Sequence, residues 1–192
     1  MRIIAGSFRG KPLVAPIGRA TRPTATRTRE AIFNILQHAP WGKSLEGLHV
    51  LDLFAGSGAL GLEAVSRGAA FALFVETQPE ARAAIRSNIE ALGIFGNTRI
   101  HRRDAKDLGA RPAGLGQGFD LVFADPPYGQ NLLGAALTGL IQGKWLAPNA
   151  VICAETAPQD GQAWPGFETL DTRRYGSAQL TFLAQHRGET LP

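Results

Sequence analysis

An aspartate and three glycines in the segment VLDLFAGSGALG have the types and spacing of a site for a nucleotide-like ligand. Gly56, Gly58 and Gly61 spell G-x-G-x-x-G, a pattern typical of dinucleotide sites and also of any tight turn between a strand and a helix. Asp52 precedes Gly56 by four residues. A carboxylate there would repel a diphosphate and attract the ammonium group of an amino-acid moiety. The segment therefore favours S-adenosylmethionine, which carries no phosphate, over NAD.

Two further acids stand where later strands are expected to end. Glu76 ends the predicted strand AFALFVE, where a carboxylate can accept hydrogen bonds from both ribose hydroxyls. Asp104 follows the third predicted strand and is a candidate acceptor for the adenine amine, although Asp107 is close enough to share or take that role. Three acids at successive strand ends suit a neutral or cationic ligand better than a diphosphate.

Residues 125–128 read Asp-Pro-Pro-Tyr at the end of the fourth predicted strand. Two prolines stop a strand and remove backbone donors, so carbonyl oxygens and the Asp125 carboxylate remain as acceptors. Such a rigid acceptor set suits the exocyclic amine of a planar base, because hydrogen bonds from both amine protons localise the nitrogen lone pair. Tyr128 would stack on the base. The segment alone is also compatible with a simple strand terminator, but after a glycine loop it predicts methyl transfer to an amine.

The elements that must position these groups follow an alternating pattern. From residue 48 onward, buried apolar runs alternate with helices such as QPEARAAIRSNIEALG, in which Pro79 suits the first turn and Gly93 the end. Repeated β-α units predict an α/β fold with a doubly wound, mostly parallel sheet that binds ligands at the carboxyl ends of its strands. The tail FETLDTRRYGSAQLTFLAQ predicts a closing antiparallel hairpin.

The N-terminal part has a different pattern. Short apolar runs on either side of GSFRG predict a β-hairpin, and GRATRPTATRTRE predicts a loop. TREAIFNILQHA predicts an amphipathic helix capped by Thr26 or Thr28. Residues 1–29 contain seven basic residues and no acid, whereas the remainder contains 13 basic and 16 acidic residues. This asymmetry favours binding of a polyanion, of which nucleic acid is the most common, over a merely solvated basic tail.

Composition limits the remaining possibilities. A chain of 192 residues with 44% hydrophobic and 19% charged residues is typical of one globular domain. No apolar run is long enough to span a bilayer, the N-terminal one is too short for a secretory signal, and the single cysteine, Cys153, predicts a buried thiol in a reducing compartment. We therefore expect a cytoplasmic protein. The four histidines lack metal-ligand spacing, so we expect no metal site.

The motifs LDLFAGSGALGLEA, Glu76, Asp104 and DPPY resemble those of class I S-adenosylmethionine-dependent methyltransferases that modify amino groups. More narrowly, RIIAGSFRGKPLVAP and RPTATRTREAIFNIL resemble the RsmD family of bacterial 16S rRNA guanine(966)-N2 methyltransferases, over roughly residues 2 to 185. The resemblance implies a Rossmann-like seven-stranded sheet and S-adenosylmethionine as cofactor. It also implies transfer of a methyl group to a guanine N2 in 16S rRNA of the small ribosomal subunit. One departure is Thr77-Gln78 after Glu76, where relatives often carry Asp at the second position.

The resemblance also assigns residues. The implied catalytic group is Asp125, Pro126, Pro127 and Tyr128, and the implied cofactor-binding residues are Asp52, Phe54, Gly56, Ser57, Gly58, Glu76, Asp104 and Ala105. The implied contacts to rRNA phosphates near the mouth of the active site are Arg9, Lys11, Arg22, Thr24, Arg27 and Arg29. We expect a monomer with a basic RNA-binding extension (1–40), a methyltransferase domain (41–186) and a short tail (187–192).

Three alternatives have different consequences. A DNA adenine-N6 methyltransferase would use the same acceptor motif, and the basic residues do not separate RNA from DNA. An NAD-dependent oxidoreductase needs a catalytic Lys, Tyr or His pair near the nicotinamide, and the sequence shows no such constellation. A non-catalytic rRNA-binding assembly factor gives no reason to keep Asp52, Glu76 and the acceptor motif together.

Overall fold

The computed structural model describes residues 1–16, 23–127, 132–156, 164–176 and 178–186, with the backbone only for residues 23–25 and 156. Arg22, Tyr128 and the tail (187–192), which the sequence analysis singled out, lie outside the described residues. No helix within the described ranges is long and apolar enough to cross a membrane.

The described strands form one seven-stranded sheet in the order β3-β2-β1-β4-β5-β7-β6. Neighbouring strands are parallel from β3 through β2, β1 and β4 to β5. Strand β7 pairs antiparallel with both β5 and β6. The predicted doubly wound α/β fold with a C-terminal antiparallel hairpin is confirmed. The strands are β1 (His49–Leu53), β2 (Phe71–Val75), β3 (Thr98–His101), β4 (Phe119–Ala124), β5 (Leu146–Thr156), β6 (Phe167–Tyr175) and β7 (Ala178–Gln185).

Four α-helices lie within the described residues: α1 (Pro23–His38), α2 (Ala59–Ser66), α3 (Pro79–Leu92) and α4 (Leu132–Gln142). Short 3-10 turns occupy Phe95–Asn97 and Ala113–Leu115. Helix α3 begins at Pro79, which suits the first helical position, and ends before Gly93, whose φ of 68° gives the left-handed cap that glycine adopts without strain. Both ends of this helix were predicted from the sequence.

The register of the parallel strands brings their last residues to one edge of the sheet. Leu53 pairs with Val75 and with Ala124, Val75 pairs with His101, and Ala124 pairs with Ala154. We call this side, marked by these five residues, the carboxyl edge. Because the predicted site residues lie at or shortly after these strand ends, the topology brings them to the same side of the sheet.

Hydrophobic clusters cover both faces of the sheet. One face packs against α1, α2 and α3 through residues that include Phe33, Phe74 and Phe123, whose surfaces are fully buried. The other face packs against α4 and includes Trp145 and Val122. Burial on both faces explains the nearly continuous apolar composition of the strands.

Helix α1 begins five residues earlier than predicted. The segment 23–27, expected to be loop, forms the first turns of the helix, because Pro23 fits a first turn and no glycine interrupts the sequence that follows it. Thr28, a predicted cap, lies inside the helix and is 4% exposed. Two contacts give the direction of this helix. The Phe33 ring contacts Phe123 near the carboxyl edge. Beyond the end of the helix, Lys43 Nζ donates to the Asn149 carbonyl at 2.5 Å, near the start of β5 and so at the opposite side of the sheet. The first turns of α1 therefore point toward the carboxyl edge.

The N-terminal residues pair antiparallel, as predicted, but only over one bridge, between Arg2 and Pro12. This segment packs tightly against α2: the N–H groups of Ile4 and Ala5 donate to the Glu63 carboxylate at 2.8 and 2.9 Å. At Gly6 (φ 82°), a Cβ atom would lie 1.8 Å from the Ser66 carbonyl oxygen, so only glycine allows this approach.

Residues on both sides of the predicted boundary at residue 40 belong to one hydrophobic cluster. Ile3, Leu13 and Phe33 are buried in the same cluster as Val50 and Phe123. The described residues of the extension, 1–16 and 23–40, therefore share a hydrophobic core with described residues of the segment 41–186. This also explains why α2 is apolar on nearly all sides, since the sheet covers one side and the N-terminal segment the other.

Candidate methyltransferase site

The glycine loop turns the chain from β1 into α2 through left-handed backbone conformations. Phe54, Gly56 and Gly58 have φ angles of 57°, 57° and 76°. Such angles are rare for a residue with a side chain and cost about 1–2 kcal/mol, so the strain at Phe54 marks a backbone path imposed by the site. Gly58 caps the N-terminus of α2, and its N–H donates to the Ala55 carbonyl at 2.7 Å.

Asp52 lies beneath this loop rather than on its surface. Its side chain is 2% exposed, and its Oδ2 accepts a hydrogen bond of 2.9 Å from the N–H of Gly61 in the first turn of α2. Burial raises the pKa of Asp52 well above its ordinary value, and the negative charges of Asp125 and Glu76 raise it further. The Gly61 hydrogen bond opposes this shift, since it favours the ionised form.

The third glycine of the pattern allows α2 to pack closely on the sheet. A Cβ atom at Gly61 would lie 2.4 Å from Cε1 of Phe74 and 3.2 Å from Oδ2 of Asp52. Because Phe74 is completely buried, its ring has no free space into which to move. Gly61 thus sets the distance between the helix and the strand that hold the site.

Glu76 closes the glycine loop from β2. Its Oε2 accepts the N–H of Gly56 at 2.9 Å, and its Oε1 accepts the N–H of Gln78 at 2.8 Å. The side chain is 8% exposed and lines a cleft at the carboxyl edge. Each carboxylate oxygen has a second lone pair, so Glu76 keeps acceptor capacity for a hydroxyl group in the cleft.

The N–H groups of all three glycines are engaged within the protein. That of Gly56 donates to Glu76, that of Gly58 to Ala55 and that of Gly61 to Asp52. A diphosphate site needs such groups to point at the ligand. The arrangement disfavours a diphosphate, because two of the three donors are already bound to carboxylates.

Asp104 and Ala105 line the same cleft as Phe54 and Glu76. Asp104 is 46% exposed, its Oδ2 is 3.5 Å from Nζ of Lys106, and its Oδ1 accepts the N–H of Lys106. Ala105 is buried and gives this wall an apolar surface. Arg103 and Lys106 also line the cleft, and the sequence analysis did not assign them to the site.

Asp125, Pro126 and Pro127 directly follow β4, which pairs with β1. Asp125 and Pro127 line the same cleft as Phe54, Glu76 and Asp104. The cleft has a volume of about 270 Å³, and Asp125 is exposed toward solvent. The structure therefore brings Asp125 and Pro127 of the acceptor motif to the same cleft as four of the predicted cofactor residues, namely Phe54, Glu76, Asp104 and Ala105. The predicted residues Asp52, Gly56, Ser57, Gly58 and Pro126 are not among the described residues that line this cleft. Tyr128, the fourth residue of the motif, lies outside the described residues.

The predicted RNA-binding residues whose side chains the structure describes do not form one cluster. Arg9 and Lys11 are exposed, but the turn that carries Arg9 packs against Ser66, at the end of α2 remote from the carboxyl edge. Arg27 is exposed in the first turns of α1, which point toward that edge. For Thr24 the backbone alone is described.

Arg29 is a correction to the sequence analysis. It is 4% exposed, its Nη2 donates to the Arg2 carbonyl at 2.7 Å, and its Nε lies 3.8 Å from Oε2 of Glu63. Arg67 also donates to Glu63, at 2.8 Å. Arg29 is therefore part of a buried ion-pair network that fixes the N-terminal segment, and its guanidinium is not presented to an external phosphate.

Other groups remain outside the site. Cys153 is buried, as predicted, and burial raises the pKa of its thiol. Within the described residues, no group of histidine, cysteine and acidic side chains could hold a metal ion.

Asn88 and Glu63 are among the buried polar residues that were not predicted from the sequence. Asn88 (1% exposed) and Glu63 (0% exposed) occupy apolar positions of α3 and α2. The available signal for Asn88 was its helical spacing, because it falls on the same face as Ala81, Ala84 and Ile85. A polar residue on such a face requires partners, which the structure supplies from distant segments.

Comparison with known proteins agrees with this geometry. The chain matches the family described as Conserved hypothetical protein 95 over residues 1–184. It is 38% identical over 161 residues to Ribosomal RNA small subunit methyltransferase D of Escherichia coli (strain K12), covering 84% of this chain and 77% of that protein.

Solved structures show the same fold. The yhhF protein of Escherichia coli superimposes with a TM-score of 0.78 at 31% identity, covering 96% of this chain and 97% of that one. The ribosomal protein L11 methylase of Lactobacillus delbrueckii subsp. bulgaricus, at 19% identity, has a TM-score of 0.68 over 94% of this chain and 89% of that one. The family match over nearly the whole chain, together with these likenesses, shows that the protein belongs to the RsmD family of methyltransferases, as the sequence motifs indicated.

Proposed function

We propose that this protein transfers a methyl group from S-adenosylmethionine to the exocyclic N2 of a guanine in 16S rRNA, acting as a cytoplasmic monomer on the small ribosomal subunit. The observation that carries this proposal is the glycine loop, which is closed by Asp52 and Glu76 beside the Asp125 acceptor motif on the neighbouring strand. Membership of the RsmD family supports rRNA as the substrate.

The donor and acceptor chemistry of the cleft fits this cofactor. When bound, S-adenosylmethionine supplies an electrophilic methyl group on a sulfonium and carries no phosphate. Glu76 and Asp104 line the cleft. In this proposal Glu76 accepts the ribose hydroxyls, and Asp104 is the candidate acceptor for the adenine amine. Asp52 is buried beneath the loop, where it accepts the N–H of Gly61, so in this proposal it holds the loop that carries the amino-acid end. Phe54 and Ala105 add apolar walls to the same cleft.

Asp125 and the Pro126 carbonyl orient the guanine amine in our proposal. Their oxygens accept hydrogen bonds from the two N–H groups of the amine. This directs the nitrogen lone pair toward the methyl group, in line with the bond between sulfur and methyl carbon that breaks. Asp125 is also the first acceptor of the proton that the amine loses. Much of the rate acceleration would come from holding the two reactants in this geometry. The guanine must leave any base stack to reach the cleft, and Tyr128 is the proposed stacking partner.

Exposed basic residues would bind the RNA backbone over an extended surface. Arg27 lies toward the carboxyl edge, whereas Arg9 and Lys11 lie along α2, so the proposed RNA footprint runs from the cleft over the N-terminal segment. Arg22 and Thr24 stay candidates for the same role. Because these contacts are to phosphates, binding would weaken steeply with rising salt.

The test of this assignment separates cofactor binding from transfer. We expect isothermal calorimetry to detect binding of S-adenosylmethionine but not of NAD. Asp125→Ala should abolish methyl transfer and leave the dissociation constant of the cofactor within about threefold, since Asp125 contacts the substrate amine. If the protein binds NAD and does not bind S-adenosylmethionine, the cofactor assignment is rejected. If Asp125→Ala loses cofactor binding as well as methyl transfer, the assigned role of Asp125 is rejected.

A further inference from the structure

Asn88 joins three segments that are far apart in the sequence. Its Oδ1 accepts the N–H of Val14 at 2.7 Å, and its Nδ2 donates to the carbonyls of Val14 and Ser57 at 3.0 and 3.1 Å. Val14 leads out of the N-terminal segment, whereas Ser57 lies between the two left-handed glycines of the loop. The side chain is 1% exposed, so water does not compete for these hydrogen bonds.

The contact with Ser57 fixes a peptide plane of the glycine loop. The carbonyl of Ser57 is held by Asn88, and the N–H of Gly58, which belongs to the same peptide, donates to Ala55 at 2.7 Å. With both of its polar groups bound, this planar peptide cannot rotate freely. Glycines on either side give the loop little stiffness of its own, so the orientation of the peptide depends on these two hydrogen bonds.

We infer that Asn88 is a positioning residue of the cofactor site, because it ties the Ser57 carbonyl of the glycine loop to the backbone of Val14. This inference rests on the proposed function, because it takes the loop to be part of the site for S-adenosylmethionine. Asn88 itself does not line the cleft, so its effect passes through Ser57.

The chain offers a matched control at Ser66. Its hydroxyl also anchors the N-terminal segment, accepting the N–H of Phe8 at 3.0 Å and donating to the carbonyl of Ala5 at 2.6 Å. Ser66 lies at the far end of α2 and has no contact with Ser57 among these hydrogen bonds. Ser66→Ala therefore weakens the anchoring of the segment without releasing the loop.

The experiment measures binding of S-adenosylhomocysteine by calorimetry and methyl transfer kinetics for the full-length wild type, Asn88→Ala, Asn88→Asp and Ser66→Ala. We expect Asn88→Ala to raise the dissociation constant about tenfold, which corresponds to a loss of about 1.4 kcal/mol of binding free energy. The KM for the cofactor should rise by the same factor, and kcat should not change. Asn88→Asp keeps the acceptor for Val14 but loses both donors, so it should bind as weakly. Ser66→Ala should stay within about twofold of the wild type.

The outcomes separate this inference from the proposed function. If the wild type fails to bind S-adenosylhomocysteine, the proposed function itself fails. If the wild type binds but Asn88→Ala matches Ser66→Ala, or Asn88→Asp binds like the wild type, the positioning role of Asn88 is overturned. The fitted binding stoichiometry reports the folded fraction of each variant, so a loss of affinity is distinguished from a loss of folded protein.

Discussion

The packing at Gly61 makes a quantitative prediction about the fold that holds the site. In Gly61→Ala, the new Cβ would lie 2.4 Å from Cε1 and 3.0 Å from Cζ of Phe74, far inside normal contact. Overpacking of a buried site costs about 1–3 kcal/mol, and replacing a helical glycine by alanine returns up to about 1 kcal/mol. Since Phe74 is fully buried, we expect a net loss of about 1–2 kcal/mol and a Tm lower by about 2–8 °C.

The matched control is Gly139→Ala in α4, where the new Cβ would have no described atom within 4 Å apart from its chain neighbours and the backbone of its own helix. There the higher helix propensity of alanine acts alone, so the free energy of unfolding should rise by about 0.5–1 kcal/mol. Urea unfolding followed by circular dichroism measures both free energies of unfolding, and equal m-values would confirm that the two-state comparison holds. A Gly61→Ala variant as stable as the wild type, or as stable as Gly139→Ala, would refute the packing argument.

Two further predictions concern the buried carboxylates. The raised pKa of Asp52 means that the folded state binds its proton more tightly than the unfolded state, so this carboxylate destabilises the fold increasingly as pH rises above its ordinary pKa of 3.8. The Tm of Asp52→Asn should therefore exceed that of the wild type by an amount that grows as the pH rises above 3.8, while the variant binds S-adenosylhomocysteine more weakly. A Tm difference that is constant with pH would contradict this. Glu63→Gln should lower the free energy of unfolding, measured with urea, by about 3–5 kcal/mol, because the buried Arg29 and Arg67 then lack their counter-charge. The exposed control Glu90→Gln should change by less than about 0.5 kcal/mol, and equal losses in the two variants would count against the network.

The parts of the fold that could be predicted are those with local signals. Pro79 and Gly93 mark the ends of α3 because each residue has a backbone preference that acts within one turn. The predicted carboxyl-edge site follows from strand ends alone, because parallel strands in a doubly wound sheet end on the same side. Glu76 and Asp125 follow such strand ends and line one cleft, and their roles in it stay predictions.

The parts that could not be predicted depend on contacts between distant segments. Arg29 looks like a surface residue in a basic arm, and only the packing of α1 on α2 brings it to Glu63. Asn88 contacts Val14, 74 residues away, and no periodicity in α3 identifies that partner. The early start of α1 is a smaller difference. The Thr/Arg-rich segment has weak helix propensity of its own, but Pro23 fits a first turn and the residues that follow belong to a packed helix, so the segment continues that helix.

The central claim is that Asp125 holds a guanine amine of 16S rRNA for methylation. The most direct measurement incubates the protein with S-adenosylmethionine labelled in its methyl group and undermethylated small ribosomal subunits, and then maps the labelled nucleotide. We predict label in N2-methylguanine of 16S rRNA, and none with Asp125→Ala. Label in adenine, or in DNA but not in rRNA, would contradict the account.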